Sequence, residues 1–258
     1  MPRAIDMMRR REKEILGALK HLSEKTDGFS DPRLLLIGGY ALRAFVPLAR
    51  FTRDCDFVVK KEEKGWTIDR LRVLLLEGFS IEHLEKRGSY GFMRCVKLVR
   101  HDDARVKVSL DFMEGEIRGR GPKDVILIDD AMIEGTRVTI PIAGEEVAVL
   151  APSYVDYFIM KVISARPSDV RDLASLVLER GLPSGLSERI RQILPYPEVF
   201  KSKLEVNIIP VVKRRIFIDS WRGIFGTTKY AEDDRRRVIE TSGSCCTVRC
   251  IFLYGNTR

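Results

Sequence analysis

From about Ala4 to Lys25, apolar residues recur every three or four positions. Ile5, Met8, Ile15, Ala18, Leu19 and Leu22 fall on one face, and charges fill the other. That period predicts an amphipathic helix, stopped by the turn-rich stretch Asp27 to Pro32. Leu34 to Ile37 is a short, wholly apolar run of strand type. Gly38-Gly39 follows, then a short helix expected to end near Pro47, then a second strand over Cys55 to Val59. "TIDRLRVLLLEGF" predicts another amphipathic helix, with Thr67 as its N-cap. Strand patterns then dominate: Phe92 to Val99, Val106 to Met113, Val125 to Ile128, Arg137 to Ile142 and Glu146 to Leu150. "HDDA" at 101–104 has turn character and joins the first two of these as a hairpin.

The pattern changes at Ala151-Pro152. Helical periods cover Tyr154 to Ala165, Ser168 to Glu179 and Ser187 to Leu194, and more helix is expected from Pro197 through "EDDRRRVIE". The expected fold is therefore α+β. A small mixed β-sheet flanked by helices occupies residues 1–150, and a helical domain follows over 151–258, with the active cleft between them. The tail "SGSCCTVRCIFLYGNTR" fits neither pattern, and the last stretch of about fifteen residues is left unassigned.

Composition changes this picture little. A chain of 258 residues with 45% hydrophobic content can bury a real core. The net charge of +8 suits polyanionic partners such as nucleotides or nucleic acid, and equally a soluble surface rich in Lys, Arg and Glu. Five cysteines without a framework predict reduced thiols and an intracellular protein. Cys245, Cys246 and Cys250 lack a nearby histidine or other fourth ligand, which argues against zinc. No apolar run approaches the roughly 18 residues that would span a bilayer, and the charged N-terminus lacks a signal-peptide core. The expected location is the cytoplasm, with no membrane partner.

The candidate chemistry lies in "IGGYALRAFVPLARFTRDCDFVV". Side chains alternate along a strand, so Asp54 and Asp56 point the same way. Two carboxylates that close repel unless a cation sits between them. A divalent, oxygen-seeking ion such as Mg²⁺, or Mn²⁺, supplies that cation. Asp111 lies in the apolar strand "VKVSLDFM", on the face opposite Val108, Leu110 and Phe112 and together with Lys107 and Ser109. If that strand runs beside the Asp54–Asp56 strand, three carboxylates meet. Such a trio can hold metal for attack on a phosphorus, with Asp111 placed to accept the acceptor's proton. Gly38 and Gly39 let backbone approach a phosphate, and the helix after them begins with unpaired N–H groups. Lys161 is the lone charge in the apolar run "YFIMKVISA", so it needs a carboxylate or phosphate partner, or a path to the surface along its own stem.

This set resembles the DNA polymerase β-like nucleotidyltransferase superfamily. It is most similar to the prokaryotic branch of abortive-infection and toxin–antitoxin nucleotidyltransferases. The residues that carry the resemblance are Gly38, Gly39, Arg50, Thr52, Asp54 and Asp56, the later strand acid Asp111, and a helical motif with Lys161, Arg166, Asp169 and Asp172. It covers roughly residues 33 to 180. Two positions depart from it: Tyr40 stands where Ser or Thr often binds phosphate, and Ser168 where Lys is frequent. The resemblance implies Mg²⁺-dependent transfer of a nucleoside monophosphate from an NTP to a hydroxyl, with pyrophosphate released. Asp54, Asp56 and Asp111 are then the catalytic and metal-binding residues. Gly38, Gly39, Tyr40, Arg50 and Lys161 are the nucleotide-binding set. The implied acceptor is an RNA 3′ end or a protein side chain, and an antitoxin is the implied protein partner.

Plainer accounts exist for each residue. Asp54 and Asp56 could form a salt-bridged strand end with Arg50 and Arg53, and Asp169 and Asp172 could pair with Arg166 or with arginines from the N-terminal part. The "RRR" runs at 9–11 and 235–237 read as solvated faces, and Trp221 as core. Two rival functions remain from the same acids: a metal-dependent nuclease, and a non-catalytic nucleotide- or nucleic-acid-binding or antitoxin module.

Overall fold

The apolar run Leu34–Ile37 forms strand β1 and is buried along its whole length. It pairs antiparallel with β2, Asp54–Val59. The structure, a computed structural model, describes residues 2–47, 50–62, 65–101 and 104–243. Those residues fall into two compact units, the first within the bounds Met1–Pro47, Phe51–Ile117 and Leu127–Ser153 and the second within Leu48–Arg50, Arg118–Ile126 and Tyr154–Arg258.

The first unit is built on a five-stranded sheet in the order β1-β2-β5-β4-β3. Its other strands are β3 (Ser80–Arg87), β4 (Tyr90–His101) and β5 (Ala104–Glu114). β2 and β5 run parallel, and the other neighbours are antiparallel, so the sheet is mixed as expected. Helix α1, Pro2–Lys25, buries Ile15, Leu16, Ala18, Leu19 and Leu22 but leaves Ile5 and Met8 exposed. Lys97 is the cross-strand partner of Val108 and its ammonium meets Glu14 of α1. The helix therefore covers the face of Val108, Leu110 and Phe112. Phe57 and Phe112 stack at 5.3 Å in that core. Asp54, Ser109 and Asp111 lie on the opposite face.

Helix α3, Thr67–Val73, shows how a distant residue replaced a local signal. Thr67 was expected as its N-cap; instead Thr67 is inside the first turn and its hydroxyl donates to Lys60 O at 2.6 Å. The first amides go to Glu114, at the end of β5: Thr67 N–H donates to Oε1 at 3.2 Å and Ile68 N–H to Oε2 at 3.0 Å. Glu114 is fully buried, and burial pushes its carboxyl above the ordinary value. The helix is also shorter than its apolar pattern, because the chain turns at Leu74 and enters β3. β3 escaped the sequence pattern since "SIEHLEKR" is an edge strand with mostly exposed, charged side chains.

After β5 come β6 (Glu116–Arg118), β7 (Val125–Leu127) and α4 (Asp130–Glu134), where Asp129 caps Met132 N–H at 2.8 Å. The ribbon of β8 (Thr136–Ile142) and β9 (Glu145–Ala151) completes the first unit. The helices of the second unit are α5 (Tyr154–Ser164), α6 (Pro167–Arg180), α7 (Leu186–Ile193), α8 (Glu198–Ser202), α9 (Ile209–Lys213), α10 (Phe217–Phe225) and α11 (Glu232–Gly243), with a π-helical segment at 203–208. Trp221 is core, as its pattern indicated: its indole N–H donates to Ser175 Oγ at 2.8 Å and its ring stacks on Tyr230 at 4.0 Å. Among the described residues no helix is long and apolar enough to cross a membrane. Cys55 and Cys95 are free and buried, whereas Cys245, Cys246, Cys250 and the unassigned tail lie outside the described residues.

The Glu114 cap is testable. Glu114→Ala strands two buried amides, and a loss of about 1–3 kcal/mol is expected in urea unfolding. Amide exchange at Thr67 and Ile68 should accelerate ahead of the rest of the sheet. Unchanged exchange at those two positions would refute the cap.

Candidate active site

β2 carries Asp54 and Asp56, and parallel pairing places Asp56 opposite Asp111 and Asp54 opposite Ser109. The two pairs share one face of the sheet. Ser109 confirms this by donating its hydroxyl proton to Asp54 Oδ1 at 2.6 Å. Asp54 and Asp56 are partly exposed, while Asp111 is only 4% exposed. The three acids expected to meet are thus neighbours on adjacent strands.

The glycines complete this corner. Ile37 is the cross-strand partner of Asp56, so the chain leaves β1 at the acid row. Gly38 has φ +68, and a methyl group there would overlap the Asp56 carboxylate. A methyl at Gly39 would lie 2.8 Å from Thr52 Oγ1 and 2.9 Å from Thr52 Cβ. Gly-Gly therefore lets the turn lie directly against the Thr and the second Asp of the downstream motif, a use that phosphate binding alone did not suggest. The helix that follows, α2 (Gly38–Ala41), is a single turn continued by a 3₁₀ turn at 42–44. Tyr40 faces inward and is fully buried, with the Arg43 guanidinium 4.9 Å from its ring centre. Burial pushes its hydroxyl well up, and that oxygen finds no hydrogen-bond partner among the described residues. The Tyr40 side chain is therefore closed off from solvent in this structure.

Arg50 and Lys161 belong to a different cluster, within the second unit. Arg50 grips Asp172 with two parallel bonds, Nε to Oδ1 at 2.7 Å and Nη2 to Oδ2 at 2.8 Å. Lys161 is 5% exposed and donates to Asp169 Oδ1 and Asp172 Oδ2, both at 2.8 Å. Its need for a partner is thus met by carboxylates of α6. Asp169 also accepts from the Arg166 backbone N–H at 3.2 Å, capping the same helix.

A family model described as "Nucleotidyl transferase AbiEii toxin, Type IV TA system" matches residues 21–234, most of the chain. The chain belongs to the AbiEii family of nucleotidyl transferase toxins. The family implies an NTP as substrate and an antitoxin as partner. No curated protein matches the chain. Two solved structures from Helicobacter pylori are similar to it. JHP933 is 14% identical, with a TM-score of 0.44 over 92% of this chain and 94% of the other. A second protein, described as a candidate nucleotidyltransferase, is 14% identical, with a TM-score of 0.40 over 91% and 97%.

In this AbiEii-family enzyme, the residue that sequence reasoning missed is Arg94. Its guanidinium holds Asp111 through Nε to Oδ1 at 2.8 Å and Nη2 to Oδ2 at 2.5 Å. The signal was present. The "HDDA" turn pairs His101 with Ala104, and counting seven residues back and forward from that pair sets Arg94 opposite Asp111. The donor chemistry of the row suits an oxygen-seeking divalent ion at Asp54 and Asp56. Among the described residues, however, no group of three His, Cys, Asp or Glu side chains is gathered as a metal cage. The third carboxylate is drawn towards Arg94 instead.

Two outcomes follow. Gly38→Ala should cost more than about 1 kcal/mol in thermal unfolding, from its positive φ and the collision with Asp56, and should abolish nucleotidyl transfer. Lys161→Met should cost about 3–5 kcal/mol, because it leaves buried carboxylates short of a cation. Asp169 sits below its ordinary value of 3.8: burial raises it, and the Lys161 ammonium overcomes burial. Its stabilisation is complete above 3.8 and is lost as pH falls through the lower folded value. Burial lowers Lys161, but Asp172 and Asp169 raise it above 10.5, so its stabilisation is complete below 10.5 and lost as pH rises through the folded value. Urea melts should therefore show a constant deficit for Lys161→Met between about pH 5 and 9.

Proposed function

We propose that this enzyme moves a nucleoside monophosphate from an NTP to a hydroxyl, on an RNA 3′ end or a protein side chain, at the Asp54–Asp56–Asp111 row. The observation that carries the reading is the parallel pairing of β2 and β5, which sets Asp56 beside Asp111 with Gly38 against the same carboxylate. The acceptor oxygen attacks the α-phosphorus, the bond to the β-phosphate breaks, and pyrophosphate leaves with the electron pair. Asp111 accepts the proton that the acceptor hydroxyl gives up. Asp54, Asp56 and Asp111 would hold Mg²⁺ or Mn²⁺, which when bound would supply positive charge to the phosphate oxygens. Ser109 keeps Asp54 oriented through its 2.6 Å hydrogen bond. The backbone at Gly38 and Gly39 seats the phosphates beside the row. Positioning and charge carry most of the rate enhancement, as in other phosphoryl chemistry. In this reading Lys161 and Arg50 act by holding the start of α6 through Asp169 and Asp172, rather than as direct phosphate ligands.

The test is incubation with each α-³²P-labelled NTP, Mg²⁺ and total cellular RNA or protein. Labelled RNA or protein supports the proposal and identifies the acceptor. Asp56→Asn should lower labelling by about 10²–10³-fold or more while the melting curve stays that of a folded protein. RNA breakdown with Mg²⁺ and no NTP would replace the proposal with a nuclease. Bound NTP without any labelled product would replace it with a binding module.

A further inference from the structure

The acid row contains a cation of its own. We propose that Arg94 is the resident counter-charge of the site: it holds Asp111 against β4 and competes with the divalent ion for that carboxylate. Asp111 is then handed from guanidinium to metal when the site loads. This rests on the metal-dependent reading above and adds a positioning residue to it.

Four observations carry the inference. Arg94 and Asp111 are cross-strand partners, so their meeting is set by the ladder rather than by a chance rotamer. The contact is a two-bond fork, at 2.8 and 2.5 Å, and engages both carboxylate oxygens. A metal needs at least one of them, and a guanidinium and a divalent ion on one carboxylate repel each other. The two partners also differ in freedom. The Asp111 side chain is 6% exposed and cannot leave, whereas that of Arg94 is 38% exposed and has room to move. The forked guanidinium has a second neighbour as well, since its central carbon lies 5.7 Å from the centre of the Phe92 ring, two residues along the same strand, and that contact does not depend on the carboxylate. In the absence of metal the fork offsets the repulsion between Asp111 and Asp56, and it leaves Asp111 unavailable as a ligand or base.

The experiment is Mn²⁺ titration of the full chain without nucleotide, read as free Mn²⁺ by electron paramagnetic resonance. Removing the competing charge in Arg94→Gln should tighten Mn²⁺ binding by about tenfold or more. Arg94→Lys keeps the charge and should stay much closer to wild type. A variant that merely loosened the sheet would weaken binding instead. Mn²⁺ binding that is lost in Asp56→Asn but unchanged or weakened in Arg94→Gln overturns the role of Arg94 alone. Binding that is indifferent to Asp56→Asn sinks the metal reading and this inference with it. A wild-type measurement decides the matter if Arg94→Gln does not fold. The Arg94 Nε–H signal, protected by Asp111, should exchange with water at least about tenfold faster when Mg²⁺ is added. Unaltered exchange at saturating Mg²⁺ overturns the proposal.

Discussion

The parallel pairing of β2 with β5 is the constraint on which the site depends. It is the single parallel junction in the five-stranded sheet, and it places Asp56 beside Asp111. Adjacent carboxylates on neighbouring strands are unfavourable in themselves. The fold tolerates them because each acid has a defined neighbour: Ser109 donates to Asp54, Arg94 forks onto Asp111, and the Gly38 turn packs against Asp56. The opposite face of the same strands supplies the stability, through the aromatic and aliphatic core of Phe57, Phe112, Val108 and Leu110 under α1. One strand thus does two jobs on its two faces, which is possible because its side chains alternate.

The second unit handles charge differently. Arg50, Asp172, Lys161 and Asp169 form an alternating chain of cation and anion that is almost wholly buried. Replacing such a network by well-packed apolar residues is often neutral, whereas removing one member is costly. Its positive contribution is geometric. It ties Arg50, which precedes β2 in sequence, to the first two turns of α6, and the Arg166–Asp169 capping box fixes where that helix begins. The Lys161 ammonium donates to two of these carboxylates, Asp169 and Asp172.

Much of this was legible in the residue pattern. The apolar run of β1, the period of α1, the alternation in β5 and the break at Ala151-Pro152 each follow from how side chains must partition between water and core. The Gly-Gly and Asp-x-Asp motifs were legible as chemistry, because buried like charges demand an explanation. β3 and the end of α3 were not legible. An edge strand keeps little apolar pattern, and a helix capped from a remote strand leaves no local signal.

By itself, then, the sequence determined most element types (but not β3), the alternation that puts Asp54 and Asp56 on one side, and the family to which these motifs belong, since each depends on local period and residue chemistry. Only tertiary structure decided that Asp111 would lie next to Asp56, that Glu114 would cap α3, and that Arg50 would meet Asp172. Those are pairings between distant segments. Their partners are chosen by strand register and by the need of every buried charge to find its opposite, and neither is written in any short stretch of chain.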